Sequence, residues 1–355
     1  MSTAERRLNP AELETFCNAL LASGGARADD AACVAAHLVD ANLKGHDSHG
    51  AGLLPAYAQH MKRGQVNLAA SEKTLTDTSV ILRVDADGGW GAPAGQRLIE
   101  RASARAREHG LAAATLGQVH HLGRIGAYAE QAAAAGLVSI HFVNVTDHAP
   151  LVAPYRGSDA RFGTNPVCIG YPATSTRPAF LLDMATSQIA LGKVRIAANR
   201  GVAVPSGSLI DKRGMPTTDP SGMAGFELEG ALTPLGKHKG YGLAFACELL
   251  AGVLGGGGTI QPDTPRRGGI TNGMFSIFID PAAFGDTAWM QAETDAMARY
   301  ALASPPMDWD SPVLYPGDPE RAIAGKRAKE GIPMDETTIG QLNAVAEKLG
   351  VAERL

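Results

Sequence analysis

Apolar positions in this chain of 355 residues recur first with helical spacing, then with the shorter periods of strands, and finally with helical spacing again. Asn9 reads as an N-cap, Pro10 as the first helical position and Glu12 as the acidic partner of a capping box. That helix is expected to reach about Ala22 and stop at Gly24-Gly25. A second, near Asp29 to Lys44, ends at Gly45, a natural left-handed terminator. After His46-Asp47-Ser48-His49-Gly50 a third helix runs to about Gly64. Strands are then predicted at Ser79–Asp85, Leu111–Leu116, Val138–Val145, Val167–Tyr171, Ala179–Asp183 and Met274–Asp280. Helices are predicted at Gly95–His109, Ile125–Ala135 and Gly240–Leu254, and the stretch from 285 onward returns to helix.

This order predicts a mixed α/β protein in three parts: an N-terminal helical segment over 1–75, a mixed-sheet domain over 76–284, and a C-terminal helical segment over 285–355 that packs with the first. The connections Thr146–Thr164 and Asn199–Ala231 are long and rich in Pro, Gly, Asp and Ser, and ordered loops of that length more often carry function than not.

Composition narrows the classes. A formal net charge of -4 lacks the basic footprint of a nucleic-acid binder. No apolar run reaches the ~18 residues of a spanning helix, and the polar start MSTAERRLNPAELET is no signal peptide, so a cytoplasmic protein with no membrane contact is expected. Cys17, Cys33, Cys168 and Cys247 are scattered, without metal-ligand spacing, and read as free thiols.

The run Gly89-Trp90-Gly91-Ala92-Pro93-Ala94-Gly95 follows a strand and opens a helix, which invites a Rossmann reading. Its third glycine is one residue late, Pro93 intrudes, and the next strand ends without an acidic residue for a ribose. A bound nicotinamide would need another scaffold.

Five segments carry candidate chemistry. His49, in His46–Gly50, sits where a chain enters a helix; the dipole there disfavours a cationic imidazole and suits it to proton exchange near neutrality, while the plainer reading is a polar helix cap. In His120-His121-Leu122-Gly123-Arg124, between strand and helix, one histidine is placed to orient a substrate while the other packs. Gly163-Thr164-Asn165-Pro166 is a turn by composition. Asp183-Met184-Ala185-Thr186-Ser187 offers hydroxyls and N–H groups to a ribose or phosphate, or caps a helix. Leu235–Gly242 joins glycines and lysines to a helix start, an anion site by construction. These histidines lack metal-ligand spacing, so no metal is expected.

In order, the motifs DSHG (Asp47–Gly50), HHLG with Tyr128, APYRG into GTNP (Ala153–Pro166), DMATS with GKV (Asp183–Val194), PTTDP (Pro216–Pro220), PLGKHKGYGL (Pro234–Leu243) and PGD (Pro316–Asp318) resemble the malate/L-lactate dehydrogenase family of the second type, and within it the hydroxycarboxylate dehydrogenase branch. The resemblance implies a non-Rossmann fold of the L-sulfolactate dehydrogenase type: a central mixed, largely antiparallel sheet flanked by helices, with a helical domain built from both chain ends. It also implies a homodimer with active sites near the subunit boundary. The implied activity is NAD- or NADP-dependent interconversion of a 2-oxo acid and a 2-hydroxy acid, with His49 as acid and base and Ser48 and His121 positioning the oxygen. Tyr57, Arg124, Thr164 and Asn165 would meet the substrate. Asp183, Met184, Ala185, Thr186, Ser187, His238, Lys239, Gly317 and Asp318 would hold the cofactor. Many members carry an arginine where this chain has Leu53, so Arg124 or another basic residue grips the carboxylate, or the substrate bears a larger apolar group. Lys193, Arg195, Arg200 and Lys212 do not decide between NAD and NADP. Rival activities are reduction of a cyclic imino acid on the same fold, metal-dependent hydrolysis, and nucleotide binding without turnover.

Overall fold

The computed structural model describes residues 5–223 and 228–355. The chain opens with β1 (Glu5–Leu8). Asn9 then caps α1 (Pro10–Ser23), its side chain accepting from the N–H groups of Ala11 and Glu12, with Pro10 in the first turn. α2 (Ala28–Leu43) follows, and Gly45 just past it takes φ +83. Two 3₁₀ turns, Asp47–His49 and Ala51–Leu53, precede α3 (Leu54–Lys62). The third helix therefore starts later than its pattern suggested, because Pro55 is compatible only with a first turn.

The central sheet is built from β2 (Lys73–Asp77), β3 (Ile81–Asp85), β4 (Leu111–His120), β5 (Val138–Val145), β6 (Val167–Tyr171) and β7 (Phe180–Met184). A small sheet follows from β8 (Leu209–Asp211), β9 (Pro216–Thr217) and β10 (Gly230–Leu232), and β11 (Thr271–Ile279) returns to the large one. The large sheet runs β2-β3-β4-β11-β5-β6-β7; β3 and β4 are parallel and every other neighbouring pair is antiparallel. This is the mixed, largely antiparallel sheet that the resemblance implied. Part of the expected loop Asn199–Ala231 is thus sheet, and its residues 224–227 lie outside the described residues.

α4 (Gly91–His109) and α5 (Gly126–Ala134) cover one face of that sheet. Small residues of β4, Ala112 and Ala114, let Leu98, Ile99, Ala102 and Ala106 approach closely. α6 (Leu191–Arg200) was not read from the sequence. The expected helix Gly240–Leu254 is two structures: α7 (His238–Cys247) and a π-helical continuation, Glu248–Leu254, on the sheet's opposite face. The C-terminal part holds α8 (Thr287–Leu302), α9 (Asp318–Glu330), β12 (Ile332–Asp335) and α10 (Glu336–Leu349). β12 pairs antiparallel with β1, so the chain ends meet as strands as well as helices. Leu13, Phe16, Leu20, Leu38, Leu54 and Tyr57 share one core with Ile332, Ile339 and Leu342.

The glycines of the Rossmann-like run have a packing role. A Cβ on Gly91 would fall 2.1 Å from the His121 carbonyl oxygen, and one on Gly95 2.4 Å from the Tyr128 ring. They let α4 lie directly against the HHLG segment. Gly91→Ala is expected to destabilise the fold by about 1–3 kcal/mol through overpacking, read as a lower denaturant midpoint at unchanged slope; an unchanged midpoint would refute the close-approach argument.

Candidate active site

The DSHG turn is fixed from both ends of the chain. Asn42 of α2 donates through Nδ2 to Asp47 Oδ1 at 2.7 Å and accepts from the Ala51 N–H at 2.8 Å. Arg327 of α9 grips the Asp47 carboxylate with both terminal nitrogens, at 2.6 and 3.0 Å. Gly50 must lack a side chain, since a Cβ would lie 2.2 Å from Asn42 Oδ1. So held, the turn presents Ser48 Oγ 3.1 Å from His49 Nδ1.

The HHLG segment leaves the end of β4. The Leu122 N–H donates to Asn272 Oδ1 of β11 at 2.8 Å, and the Arg124 N–H to His37 Nε2 of α2 at 3.1 Å. Tyr128 donates to the Leu122 carbonyl at 2.7 Å. The two histidines then face different ways. His120 is buried, its Nε2 2.9 Å from His60 Nδ1, with the rings of Trp90 and Tyr57 edge-on to it. His121 stacks on His49 with ring centroids 5.7 Å apart and planes 17° from parallel, and its Nδ1 lies 2.8 Å from the Tyr57 hydroxyl.

No carboxylate contacts either stacked ring among the described residues. Burial, with a smaller effect of His46 and Arg124, lowers His49 to about 4, although part of its surface stays open. Burial, then the neighbouring His49, holds His121 well below the usual histidine range. Burial also pushes the Tyr57 hydroxyl up, so it remains a proton donor. The resting pair is neutral near pH 7.

Other expected contacts turn out differently. Arg124 is closed off from solvent: its side chain is 1% exposed, and Nη2 is bound to Asp40 Oδ2 at 3.0 Å and Glu130 Oε2 at 2.5 Å. Paired through Nη2 with two carboxylates, it is a buried structural ion pair and not an open grip for a substrate carboxylate, while its Nε and Nη1 have no hydrogen-bond partner among the described residues. Asn165 is likewise interior, its Nδ2 donating to the Ala244 carbonyl and to Glu248 Oε1. Tyr57 is buried and touches His121 through its hydroxyl instead of lining an open pocket. Thr164 accepts through its carbonyl from both the N–H and the hydroxyl of Thr186, and Ser187 Oγ donates to the Ile189 carbonyl, so both DMATS hydroxyls spend their protons within the protein and keep only acceptor capacity. Asp183 Oδ2 accepts the Gly126 N–H at the start of α5, at 2.7 Å. Met184 and Ala185 are half-buried beside it. Leu53 packs partly against the core of the chain ends.

One helix start lies beside the DSHG turn, and a second lies beside the DMATS segment. A Cβ on Gly192, in the first turn of α6, would lie 3.2 Å from Ser48 Cβ, and α6 has no side-chain cap. The DMATS segment meets the approach to α7, where the Leu235 N–H donates to the Thr186 carbonyl. His238 and Lys239 at the start of α7 are exposed, again with no side-chain cap. Farther along, the Gly317–Asp318 turn opens α9; Gly317 takes φ +95 and Asp318 pairs with Arg321. Sequence reasoning missed Asn42, His37, Asn272 and Arg327, whose roles arise only from partners distant in the chain. Among the described residues no three His, Cys, Asp or Glu side chains come together as a metal-ligand group.

Comparison with known proteins agrees over almost the whole length. The chain is 42% identical to hydroxycarboxylate dehydrogenase B of Escherichia coli K12 over 98% of its length and 95% of the relative. It is 43% identical to an L-lactate dehydrogenase of Cupriavidus necator over 94% and 95%. The sulfolactate dehydrogenase structure from Methanocaldococcus jannaschii superposes with a TM-score of 0.87 at 32% identity, covering 98% of both chains. The sequence model of the family described as malate/L-lactate dehydrogenase matches residues 8–343. On this agreement of sequence, sheet order and motifs, the chain belongs to the malate/L-lactate dehydrogenase family.

Proposed function

We propose that this chain interconverts a small 2-oxo acid and the matching 2-hydroxy acid, using NAD or NADP, with His49 moving the proton. The observation that carries this reading is the stacked His49–His121 pair, one ring bonded to Ser48 and the other to Tyr57. The uncapped start of α6 with the Lys193 side chain, and the exposed Lys239 side chain at the start of α7, fit the phosphates of a dinucleotide, since helix starts and lysine ammonium groups favour anions. His238, the Met184–Ala185 backbone and the Gly317–Asp318 turn complete the set assigned to the cofactor. The bound nicotinamide supplies or accepts the hydride at C2.

The protein's part follows from proton placement. With Tyr57 donating to Nδ1, His121 carries its proton on Nε2 and offers that N–H to the substrate oxygen. Ser48 orients His49 through Nδ1, leaving Nε2 to give a proton to the oxygen in reduction and to take it back in oxidation. The substrate carboxylate brings a negative charge to a pair with no carboxylate of its own, which favours protonation of His49 when substrate binds.

A homodimer is part of the proposal: Phe245, Leu249 and Val253 stand exposed in one row on α7 and its π-helical continuation, an apolar strip suited to a second copy. Free cysteines at 17, 33, 168 and 247 fit a reducing cytoplasm.

A panel of pyruvate, phenylpyruvate, oxaloacetate and a cyclic imine, run with NADH and NADPH, tests the reading; turnover of the imine alone would replace it, and loss of turnover to a chelator would favour a metal-dependent activity. His49→Ala is expected to lower kcat by about 10²–10⁴, and near-normal turnover would remove His49 from the reaction. Tyr57→Phe keeps the ring packing and deletes one hydrogen bond; kcat should fall about tenfold while cofactor affinity holds. The pH profiles should diverge. Oxidation needs neutral His49, so its kcat/KM should rise through about pH 4 and then level; reduction needs the protonated ring, so its kcat/KM should fall about tenfold per unit above that. A reduction profile flat across the neutral range would contradict this assignment.

A further inference from the structure

Glu248 stands at the junction where α7 becomes π-helical, on the sheet face away from α4 and α5. Its carboxylate is buried and has no cationic partner among the described residues. It accepts instead from three N–H donors: Asn165 Nδ2 at 2.8 Å, Asn144 Nδ2 at 3.0 Å and the Ile260 N–H at 3.0 Å. Burial pushes the carboxyl up, against the donors, which favour its charged form. A carboxylate so placed costs free energy unless its bonds hold something in position.

What it holds can be traced bond by bond. Asn165 sits in the GTNP turn at φ +33, a left-handed backbone that Asn tolerates better than most side-chain-bearing residues, and its Nδ2 also donates to the Ala244 carbonyl of α7. One residue earlier, the Thr164 carbonyl accepts both the N–H and the hydroxyl of Thr186 in DMATS. The Thr186 carbonyl accepts the Leu235 N–H, and the Leu235 carbonyl accepts the Gly240 N–H inside α7. The chain of bonds closes on itself: Glu248, Asn165, Thr164, Thr186, Leu235, Gly240, and back along α7 to Glu248. It ties the DMATS segment to the α7 N-terminus. The π-helical turn is part of the device, since the extra residue per turn shifts which side chains of the helix face the sheet.

We propose that Glu248 is a positioning residue for the dinucleotide: it holds the DMATS segment and the start of α7 at a fixed spacing, so that the phosphates meet both at once. This rests on the cofactor reading above. Fixing two contact segments before binding removes their ordering cost from the binding step, so the effect falls on cofactor affinity and not on the proton transfer at His49.

Glu248→Gln tests it. Gln keeps an oxygen for Asn144 and Ile260, but its amide nitrogen meets the Asn165 Nδ2 donor, which removes the side-chain half of the link to the GTNP turn and leaves Asn165 only its bond to the Ala244 carbonyl. Titration of intrinsic fluorescence with NADH and NADPH should show the dissociation constant of the bound cofactor raised about tenfold. KM for that cofactor should rise in proportion, with kcat within about threefold of the parent, the pattern of lost uniform binding. Asn165→Ser cuts the same link from the other side and should reproduce the shift; it serves in place of Glu248→Gln if that variant fails to melt cooperatively. A lowered melting temperature with unchanged cofactor affinity would overturn the proposal and leave Glu248 a packing group. A parent protein that binds neither NADH nor NADPH would overturn the cofactor reading itself.

Discussion

Two imidazoles lie 5.7 Å apart in a wall of protein, and both cannot be charged at once. That restriction organises the site. Neither ring has a carboxylate to stabilise its cation, and Arg124, whose positive charge acts on His49, is paired through Nη2 with Asp40 and Glu130. The stacked pair therefore carries no charge at rest near neutral pH. In the proposed reaction the substrate brings the unbalanced charge, and a proton follows it in. Tyr57 and Ser48 then matter less for what they touch than for which nitrogen of each ring they leave free.

The two rings come from different halves of the architecture. His49 is borne by a turn that Asn42 and Arg327 hold, within the layer formed by the chain ends. His121 hangs from the end of β4, steadied by Asn272 of β11 and Tyr128 of α5. Their stacking thus depends on how the terminal layer sits on the sheet. His37 bonds across that seam, its Nε2 taking the Arg124 N–H, and burial keeps it neutral enough to accept. Gly91 lets α4 approach the carbonyl of His121 from below. Substitutions that alter this seam, even without touching either histidine, change the distance between them.

How much of this was visible in the sequence depends on whether the cause was local. The Asn9 cap, the strands Val138–Val145 and Val167–Tyr171, and the left-handed Gly45 follow from spacing and backbone preference, and the structure shows them where expected. The histidine motifs marked the residues that the fold brings together. Arg124 misled because it was the basic residue at hand to stand in for the arginine missing at Leu53, while its partner Asp40 lies 84 residues away. The pairing of β1 with β12 joins opposite ends of the chain, and no periodicity records it. The π-helical turn looked like ordinary helix, since apolar spacing does not reveal which carbonyl each N–H selects.

The grip of Arg327 on Asp47 also has a place in time. The two residues are 280 positions apart, so a chain growing from its N-terminus makes the DSHG turn early and its latch nearly last. Through most of synthesis the histidine exists without the geometry that gives it work. A product that stops short of α9 would retain His49, Ser48, His121 and Tyr57, and would lack the clasp that fixes the turn bearing the first two.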